Sequence, residues 1–314
     1  MILLYILIFI TAILLLTRSG AWAVQDLSRI ARYLGWSEFV VAFILMAFVS
    51  SIPEFFIGIS SVIHKVPEVS FGNIIGANVI NLTLAVGLAV VFIGGLSVDR
   101  KIVQKDSTLT AISAFLPLIL ILDKELSRID GIILLLGFLA YIFWLFSQKD
   151  RFSRIYNNSK EGLKQFIKNI FALLGSVFLL FLSAEAVIRS STILAKEFGI
   201  PHILIGILII GTGTALPETY FVVRAALKHK KEMILGNLMG CVVVTSLFVL
   251  GFVALLSPIK INDFSPYFSA RIFLLISIVS FLIILRTGNK ITRKESLLLI
   301  SIYLAFVAAE ILFK

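Results

Sequence analysis

Ten long apolar segments separated by short polar loops dominate the sequence and leave few folds open to it. A helix needs about 20 apolar residues to cross the hydrocarbon core of a bilayer. Hydrophobic residues make up 59% of the chain and charged residues only 15%, whereas about a quarter of a soluble domain is charged. We therefore predict an all-α integral membrane protein with ten transmembrane helices. The predicted spans are 2–17 (with the helix continuing through the small residues after Arg18), 40–63, 74–96, 108–121, 131–146, 171–188, 203–227, 234–256, 272–285 and 297–313.

The basic residues are distributed unevenly between the loops. If the loops are numbered one to nine along the chain, twenty of the 28 Lys and Arg lie in odd-numbered loops or at the helix ends beside them. Loops rich in Lys and Arg stay in the cytoplasm. We therefore predict a multi-pass protein of the cell membrane with both termini extracellular. The net charge of +10 then reflects orientation, and no nucleic-acid partner is predicted.

The two halves of the sequence repeat each other. An offset of 164 residues aligns Pro, Glu, Asn and Gly without a gap over some sixty-five positions. Five helices per half is an odd number, so the second half must enter the membrane with the opposite orientation. Such inverted repeats are typical of secondary transporters, whose substrate site lies near the midplane between the halves. The aligned pairs include Gly35 with Gly199, Pro53 with Pro217, Glu54 with Glu218, Asn73 with Asn237, Gly76 with Gly240 and Asp99 with Asp263.

The repeat also predicts the division of the chain. We expect residues 1–146 to form the first transmembrane repeat and residues 166–314 the second, inverted repeat. The basic segment 147–165 between them is predicted to be a cytoplasmic linker, too short for a regulatory domain. The single Cys241 excludes an internal disulfide.

A Pro-Glu pair stands inside an apolar segment of each half, in "AFVSSIPEFFI" and in "GTGTALPETYF". An ionised Glu at the bilayer centre is costly unless it faces a cavity or a partner, so Glu54 and Glu218 predict a shared site. Proline removes a helical hydrogen bond and frees backbone carbonyls nearby. Carboxylates, hydroxyl groups and carbonyls form an all-oxygen set that suits a hard cation such as Ca2+. The nearby hydroxyl groups belong to Ser50, Ser51, Thr212 and Thr214.

The helix after each Pro-Glu pair carries glycines and amides. "FGNIIGANVIN" and "LGNLMGCVVVT" contain Gly-xxx-Gly spacings that allow close backbone approach. Their amides are predicted either to tie helices together or to lie near the ion, and both interpretations stay open. They are Asn73, Asn78, Asn81 and Asn237.

These paired motifs resemble the two alpha-repeats of the calcium/cation antiporter superfamily, whose usual form is close to GTSxPE followed by GNxxGSNxxN. The nearest branch is that of the prokaryotic and archaeal sodium/calcium exchangers. The resemblance implies ten helices in two inverted halves and alternating access, with the first and sixth helices sliding across the other eight.

The resemblance also implies a ligand set. The superfamily's acidic ligands match Glu54 and Glu218. The other ligand positions match the hydroxyl groups of Ser50, Ser51 and Thr214, the carbonyls of Ala47 and Gly211, and the amide of Asn81. In the eighth helix, Thr245 replaces a usual Asp or Asn. Serine is replaced at Ala77, Ala215 and Cys241, so we expect the Ca2+ ligands to be better preserved than the Na+ ligands.

Four functions remain open on the sequence. The leading one is an antiporter that exchanges Ca2+ for Na+, and the second is the same carrier coupled to protons, because two close carboxylates in low dielectric bind protons readily. A passive cation channel and an intramembrane protease are weaker alternatives. We predict no enzymatic activity and no cofactor, with Ca2+ and Na+ (or H+) as transported ions in contact with the lipid bilayer. The oligomeric state stays open.

Other charged residues in the spans have structural explanations. Glu185 and Arg189 are four residues apart, in the acid-first order that favours a helical ion pair. Glu68 stands at a helix start, where negative charge favours the helix dipole. His64 is predicted to be solvated in a loop, and Glu310 to reach the membrane surface near the C-terminus.

Overall fold

The structure is a computed structural model that describes residues 2–33, 48, 50–97, 100–147, 163–227, 231–261, 264–287 and 290–312. Nine helices within these ranges are long and apolar enough to cross a membrane. A shorter apolar helix, Ile52–Ile63, occupies the place of the second predicted span. The all-α membrane fold is therefore confirmed. Residues 40–47 and 49 of that span lie outside the described residues.

The described residues form ten main helices, numbered along the chain, and four two-residue strands. Three of the helices contain a wider π-helical turn. In the first half they are α1 (Ile2–Tyr33), α2 (Ile52–Ile63), α3 (Pro67–Ile80, π-helical Asn81–Ala85, then Val86–Ile93), β1 (Leu96–Ser97), α4 (Arg100–Leu120), β2 (Glu125–Leu126) and α5 (Arg128–Ser147). In the second half they are α6 (Leu163–Phe198), α7 (His202–Ile205, π-helical Gly206–Ile210, then Gly211–Leu227), α8 (Lys231–Val243, π-helical Val244–Val249, then Leu250–Leu256), β3 (Ile259–Lys260), α9 (Phe264–Thr287), β4 (Lys290–Ile291) and α10 (Arg293–Leu312).

The first and sixth helices are much longer than the predicted 2–17 and 171–188. α1 has 32 residues and α6 has 36, so α6 is about 54 Å long at the usual rise per residue. In the extension of α1, Asp26 finds a partner on the neighbouring helix, since Ser176 of α6 donates a hydrogen bond to it at 3.3 Å. The first helix continues past Arg18, as predicted, but as far as Tyr33, and the predicted bounds of the sixth were wrong.

Two small strand pairs show that the repeat is inverted. Leu96 of β1 pairs with Ile291 of β4, and Leu126 of β2 pairs with Ile259 of β3. β1 and β4 lie in the third and ninth loops, whereas β2 and β3 lie in the fourth and eighth. Each pair therefore joins loops of one side of the membrane. β1 and β3 occupy equivalent places in the two halves but lie on opposite sides, as an inverted repeat requires.

The first half and the second half meet where α3 crosses α7. A Cβ added to Gly76 would overlap the carbonyl oxygen of Ile207, and one added to Gly206 would overlap that of Val69. The glycines therefore allow the two backbones to touch, as small-residue faces do in membranes. This crossing fixes α7 beside the amides of α3.

Buried apolar side chains form two main clusters. The larger one joins α3, α4, α5, α8, α9 and α10. The second unites α1 with α6 and includes a few residues of α2, α3 and α7, among them Ile57 and Ile210. α1 and α6 thus pack as a pair against the remaining helices, in the arrangement that the resemblance implies.

Candidate cation-binding site

Pro53 and Glu54 lie at the start of α2. Ser50 and Ser51 form a turn, the helix begins at Ile52, and Pro53 occupies its first turn. Proline fits there because the first amides of a helix have no intrahelical partner. This turn interrupts the predicted span 40–63 at the place where Pro53 was expected to disturb the helix. Glu54 is consequently buried at the end of a helix.

Pro217 remains inside α7. The carbonyl of Gly213, one turn earlier, therefore has no amide donor at position 217, and the hydroxyl group of Thr17 on α1 lies 3.4 Å from it. The carbonyl of Gly211 lies 3.4 Å from the hydroxyl group of Thr214. Of these two carbonyls, that of Gly213 lacks its helical donor and lies near a side chain of α1.

Glu54 and Glu218 are both 1% exposed and close enough for their charges to interact. Among the residues that the structure describes, Oε2 of each carboxylate has no hydrogen-bond partner. Buried carboxylate oxygens are normally hydrogen-bonded, paired or bound to a cation. Two such carboxylates that lie close to each other at equivalent positions of the repeat suit a positively charged ligand.

Cys241 of α8 lies beside these carboxylates and is fully buried. Its Sγ is 3.3 Å from Oγ of Ser51, 3.6 Å from Nδ2 of Asn81 and 4.0 Å from Oε1 of Glu218. Ser50 is also within hydrogen-bonding reach of the thiol. The sequence identified Cys241 only as a replaced serine. The structure makes it the point where α2, α3, α7 and α8 meet.

Amides join the two halves next to this point. The hydroxyl group of Thr214 donates to Oδ1 of Asn73 at 2.9 Å, and Thr214 also lies beside Glu54. The Nδ2 atoms of Asn73 and Asn237 and the Oδ1 atom of Asn81 are buried, with no partner in the described part of the chain. The amides of Asn73 and Asn81 therefore lie near the carboxylates, the first through Thr214 and the second through Cys241.

Thr245 is held by a different partner. Its hydroxyl group lies 3.0 Å from Oδ1 of Asn78 and 2.9 Å from the carbonyl of Cys241. Nδ2 of Asn78 donates to Ser246 at 2.9 Å. The structure thus ties Thr245 to α3 through Asn78, a pairing that the sequence did not predict. Of the remaining predicted ligands, Ala47 lies outside the described residues.

Ala77 and Ala215, which stand where the superfamily usually has serine, lie together. Both are buried and share one small apolar cluster with Ile80. Methyl groups therefore occupy positions of the α3–α7 crossing where the superfamily usually has hydroxyl groups. Within the described ranges, no three acidic, histidine or cysteine side chains converge as a preformed metal site.

Three other carboxylates have partners away from the site. Glu185 forms the predicted ion pair with Arg189 at 2.7 Å and also accepts hydrogen bonds from Ser60 and from His64, whose Nε2 is 2.6 Å away. His64 is thus not a solvated loop residue, because it closes this contact between α2 and α6. Glu310 does not reach the membrane surface. It is 1% exposed, and its Oε1 accepts a hydrogen bond from Ser269 of α9 at 2.6 Å, while its Oε2 has no partner among the described residues.

Glu68 lies in the first turn of α3, as expected for a residue at a helix start. Its carboxylate is 3.2 Å from Nδ1 of His202 on α7. This contact joins the beginnings of α3 and α7 and is separate from the cation site.

Comparison with known proteins gives concordant results. The model of the family described as "Sodium/calcium exchanger protein" matches residues 4–147 and 168–312. Sodium/calcium exchanger MaX1 of Methanosarcina acetivorans is 27% identical over 340 residues, covering 96% of this chain and 97% of the relative. Inner membrane protein YrbG of Escherichia coli is 26% identical, covering 96% and 95%.

Solved structures agree. The sodium-calcium exchanger NCX_Mj, soaked with 10 mM Na+ and zero Ca2+, superimposes with a TM-score of 0.67 at 25% identity over 98% of this chain and 99% of that chain. The same exchanger soaked with 10 mM Na+ and 10 mM Sr2+ gives a TM-score of 0.69. Because the family's model covers both halves of the chain, this protein belongs to the sodium/calcium exchanger protein family.

Proposed function

We propose that this protein exchanges Ca2+ for Na+ by alternating access at a midplane site built on Glu54 and Glu218. One observation carries the proposal: two buried carboxylates stand at equivalent positions of an inverted repeat, each with an oxygen that has no partner in the described residues. Two carboxylates neutralise one divalent cation, and the same charges accept monovalent cations in its place. Competition for one site is the electrostatic basis of exchange.

The proposed ligands surround these two carboxylates. Oxygen atoms of hydroxyl groups, amides and carbonyls complete the coordination that Ca2+ prefers, with six to eight ligands. Thr245 also belongs to the proposed ligands, and its hydrogen bond to Asn78 supports its position on the side of α8 that faces α3. The proposed side-chain ligands are Ser50, Ser51, Thr214 and Asn81, with carbonyls from Ala47 and Gly211.

The orientation and the moving parts belong to the same proposal. Residues 1–146 and 166–314 are the two repeats, the segment 147–165 is a cytoplasmic linker, and both termini are extracellular. The pairing of α1 with α6 supports a two-helix unit that slides across the other helices. The names of MaX1 and NCX_Mj as exchangers of sodium and calcium support the identity of the ions. The family consists of ion exchangers, which leaves the protease alternative without support.

Coupling to protons is the second candidate, and one observation favours it. Ala77 and Ala215 place methyl groups where the superfamily usually has serine, and both are buried in an apolar cluster. A Na+ ion needs oxygen ligands, whereas a proton needs only a carboxylate. The loss of these oxygens therefore weakens Na+ binding more than proton binding.

The test is Ca2+ flux into proteoliposomes with a Na+ gradient and a pH gradient imposed separately. Flux that follows the Na+ gradient supports the leading proposal, and flux that follows pH alone selects the proton-coupled carrier. Flux without either gradient would indicate a channel and would contradict both.

Glu54→Gln and Glu218→Gln should each reduce the flux about 100-fold or more, because a neutral amide no longer offsets the charge of a bound divalent cation, and removing one partner of a buried charge pair weakens binding by about 2–5 kcal/mol. Glu310→Gln is the matched control, since Glu310 is equally buried but bonded to Ser269 outside the site. All three proteins should elute as folded monodisperse particles. Exchange retained in either site variant would contradict the site assignment.

A further inference from the structure

The donor set of the site includes a sulfur atom. Cys241 is the only cysteine in the chain. Its side chain is fully buried, and its Sγ contacts side chains from α2, α3 and α7. A small apolar residue would suffice if this position only had to be filled. A thiol placed between a hydroxyl group, an amide and a carboxylate is instead positioned to act as a ligand for a cation.

Unpartnered polar atoms converge on the same place. Asn81 donates its Nδ2 hydrogen toward Cys241, while its Oδ1 has no partner among the described residues. Glu218 has Oε1 at 4.0 Å from the sulfur and its other oxygen unpartnered. Both side chains are at least 99% buried. Two further donors therefore lie next to the thiol, and each retains an open coordination position.

The distances suit a shared ion. Two ligands of a tetrahedral Zn2+, one sulfur at about 2.3 Å and one oxygen at about 2.1 Å, lie about 3.6 Å apart. The observed separation between Cys241 Sγ and Glu218 Oε1 is 4.0 Å. A shift of a few tenths of an ångström would let both atoms bind one cation. The larger Cd2+ ion would require less movement.

The chemical type of the ligand atom decides which cations this sulfur binds strongly. Thiolates bind soft and borderline ions such as Cd2+ and Zn2+ strongly, whereas Ca2+ takes oxygen ligands. We propose that Cys241, together with Glu218 and Glu54, makes this a site for thiophilic divalent cations, which compete with Ca2+ for transport. The ion binds the sulfur in place of the thiol proton, which leaves to water, and no redox step is involved. This inference rests on the proposed function, because it uses the same pair of carboxylates.

The first test is spectroscopic and independent of transport. Cd2+ is titrated into the purified, detergent-solubilised protein, and the ultraviolet charge-transfer band of a Cd2+–thiolate bond is followed. The chain has a single cysteine, so the band can arise only from Cys241. We expect a saturable band in the wild-type protein, its absence in Cys241→Ser, and at least tenfold weaker Cd2+ binding in Glu218→Gln. A missing band, or one that Glu218→Gln leaves unchanged, would overturn the proposal.

The second test measures selectivity. Ca2+ flux is inhibited with Cd2+ in wild-type and Cys241→Ser proteoliposomes, and the ratio of the Cd2+ to the Ca2+ half-saturation concentrations is compared. This ratio should be at least tenfold lower in the wild-type protein than in the variant. Equal ratios would overturn the role of the sulfur while leaving Ca2+ exchange intact. Conversely, a Cd2+–thiolate band in a protein that carries no Ca2+ would refute the proposed function but not the thiophilic site.

Discussion

At the scale of single residues, the chemistry of the site depends on a few substitutions at the helix crossings. Ala77 on α3 and Ala215 on α7 are both buried in one apolar cluster, and neither provides an oxygen to an ion. Cys241 adds a sulfur atom at the third position where the superfamily usually has serine. The two carboxylates are kept, whereas the neutral donors around them are altered. Such a change affects selectivity between cations more than the ability to hold positive charge.

The paired variant Ala77→Ser with Ala215→Ser should increase Na+ dependence. Two added hydroxyl groups supply oxygens near the carboxylates, and a polar contact to a charged group contributes about 1.5–3 kcal/mol. We therefore expect Na+ to stimulate Ca2+ flux at about tenfold lower concentration, since a factor of ten corresponds to about 1.4 kcal/mol. The measurement is flux against Na+ concentration in proteoliposomes.

Ala226→Ser is the matched control for this pair. Ala226 is also buried and lies on α7, but it is eleven residues beyond Ala215, about three helical turns away. Its hydroxyl group should leave the Na+ dependence unchanged. An equal effect of both changes would show that a general loosening of α7, rather than an added ligand, alters the flux.

The sequence predicted the types of residue in the site but not their partners. Proline, hydroxyl groups and paired carboxylates are visible in the motifs, whereas contacts across helices depend on the register between segments far apart in the chain. Thr214 with Asn73 and Thr245 with Asn78 are such contacts. The central place of Cys241 was missed for the same reason, since only the packing of α8 against three other helices reveals it.

At the scale of helices, the crossing of α3 and α7 holds the site together. Asn73 lies on this crossing, between Gly72 and Gly76 in the chain, and bonds to Thr214. The π-helical turns Asn81–Ala85 and Val244–Val249 follow at nearly equivalent places of the two halves. Such turns are frequent at functional sites. Here they include Asn81 and Thr245, which the apolar pattern of the sequence does not indicate.

Gly76→Ala should destabilise the protein. The added Cβ would overlap the carbonyl oxygen of Ile207, and backbone cannot move aside as a flexible side chain does. Overpacking of this kind typically costs about 1–3 kcal/mol. We expect a lower midpoint of thermal unfolding in detergent and a proportionate loss of flux.

Gly175→Ala on α6 provides the comparison. A Cβ at Gly175 meets no atom of the described structure within 4 Å, and alanine favours a helix over glycine by about 1 kcal/mol. This variant should therefore unfold at the same or a higher temperature. A Gly76→Ala protein as stable as wild type would mean that α3 and α7 do not touch here.

The lengths of the helices depend on contacts of polar side chains, which hydropathy does not include. The prediction let the first helix continue only through the small residues after Arg18, yet the helix extends to Tyr33. Ser19 bonds back to the carbonyl of Leu15 at 2.6 Å, and Asp26 accepts a hydrogen bond from Ser176 of α6. Polar side chains satisfied inside the protein do not end a transmembrane helix. A sequence does not reveal which polar residues will find such partners.

At the scale of the whole molecule, the two strand pairs join the halves on opposite faces of the membrane. β1 with β4 connects the third and ninth loops, and β2 with β3 connects the fourth and eighth. The duplication and the odd number of helices in each half predicted this inversion from sequence alone. The strand pairs themselves were not predicted, because two-residue strands carry no periodic signal.

The orientation of the molecule can be tested at these strands. Lys290 of β4 and Lys260 of β3 are both exposed, and they lie in the ninth and eighth loops. In a Cys241→Ser background, which removes the only native thiol, each lysine is replaced by cysteine. A membrane-impermeant maleimide should label Lys260→Cys in intact cells and Lys290→Cys only after permeabilisation, because Lys- and Arg-rich loops stay in the cytoplasm.

The outcomes separate the fold from its orientation. Labelling of Lys290→Cys alone in intact cells would keep the inverted architecture but reverse the orientation, with both termini then inside. Labelling of both in intact cells would contradict the assignment of the two strand pairs to opposite faces. Lys260 pairs with Glu125 at 3.5 Å on the surface, and exposed pairs of this kind contribute at most about 1 kcal/mol. Replacing Lys260 should therefore leave the strand pair intact, and the labelling then reports on which side of the membrane the pair lies.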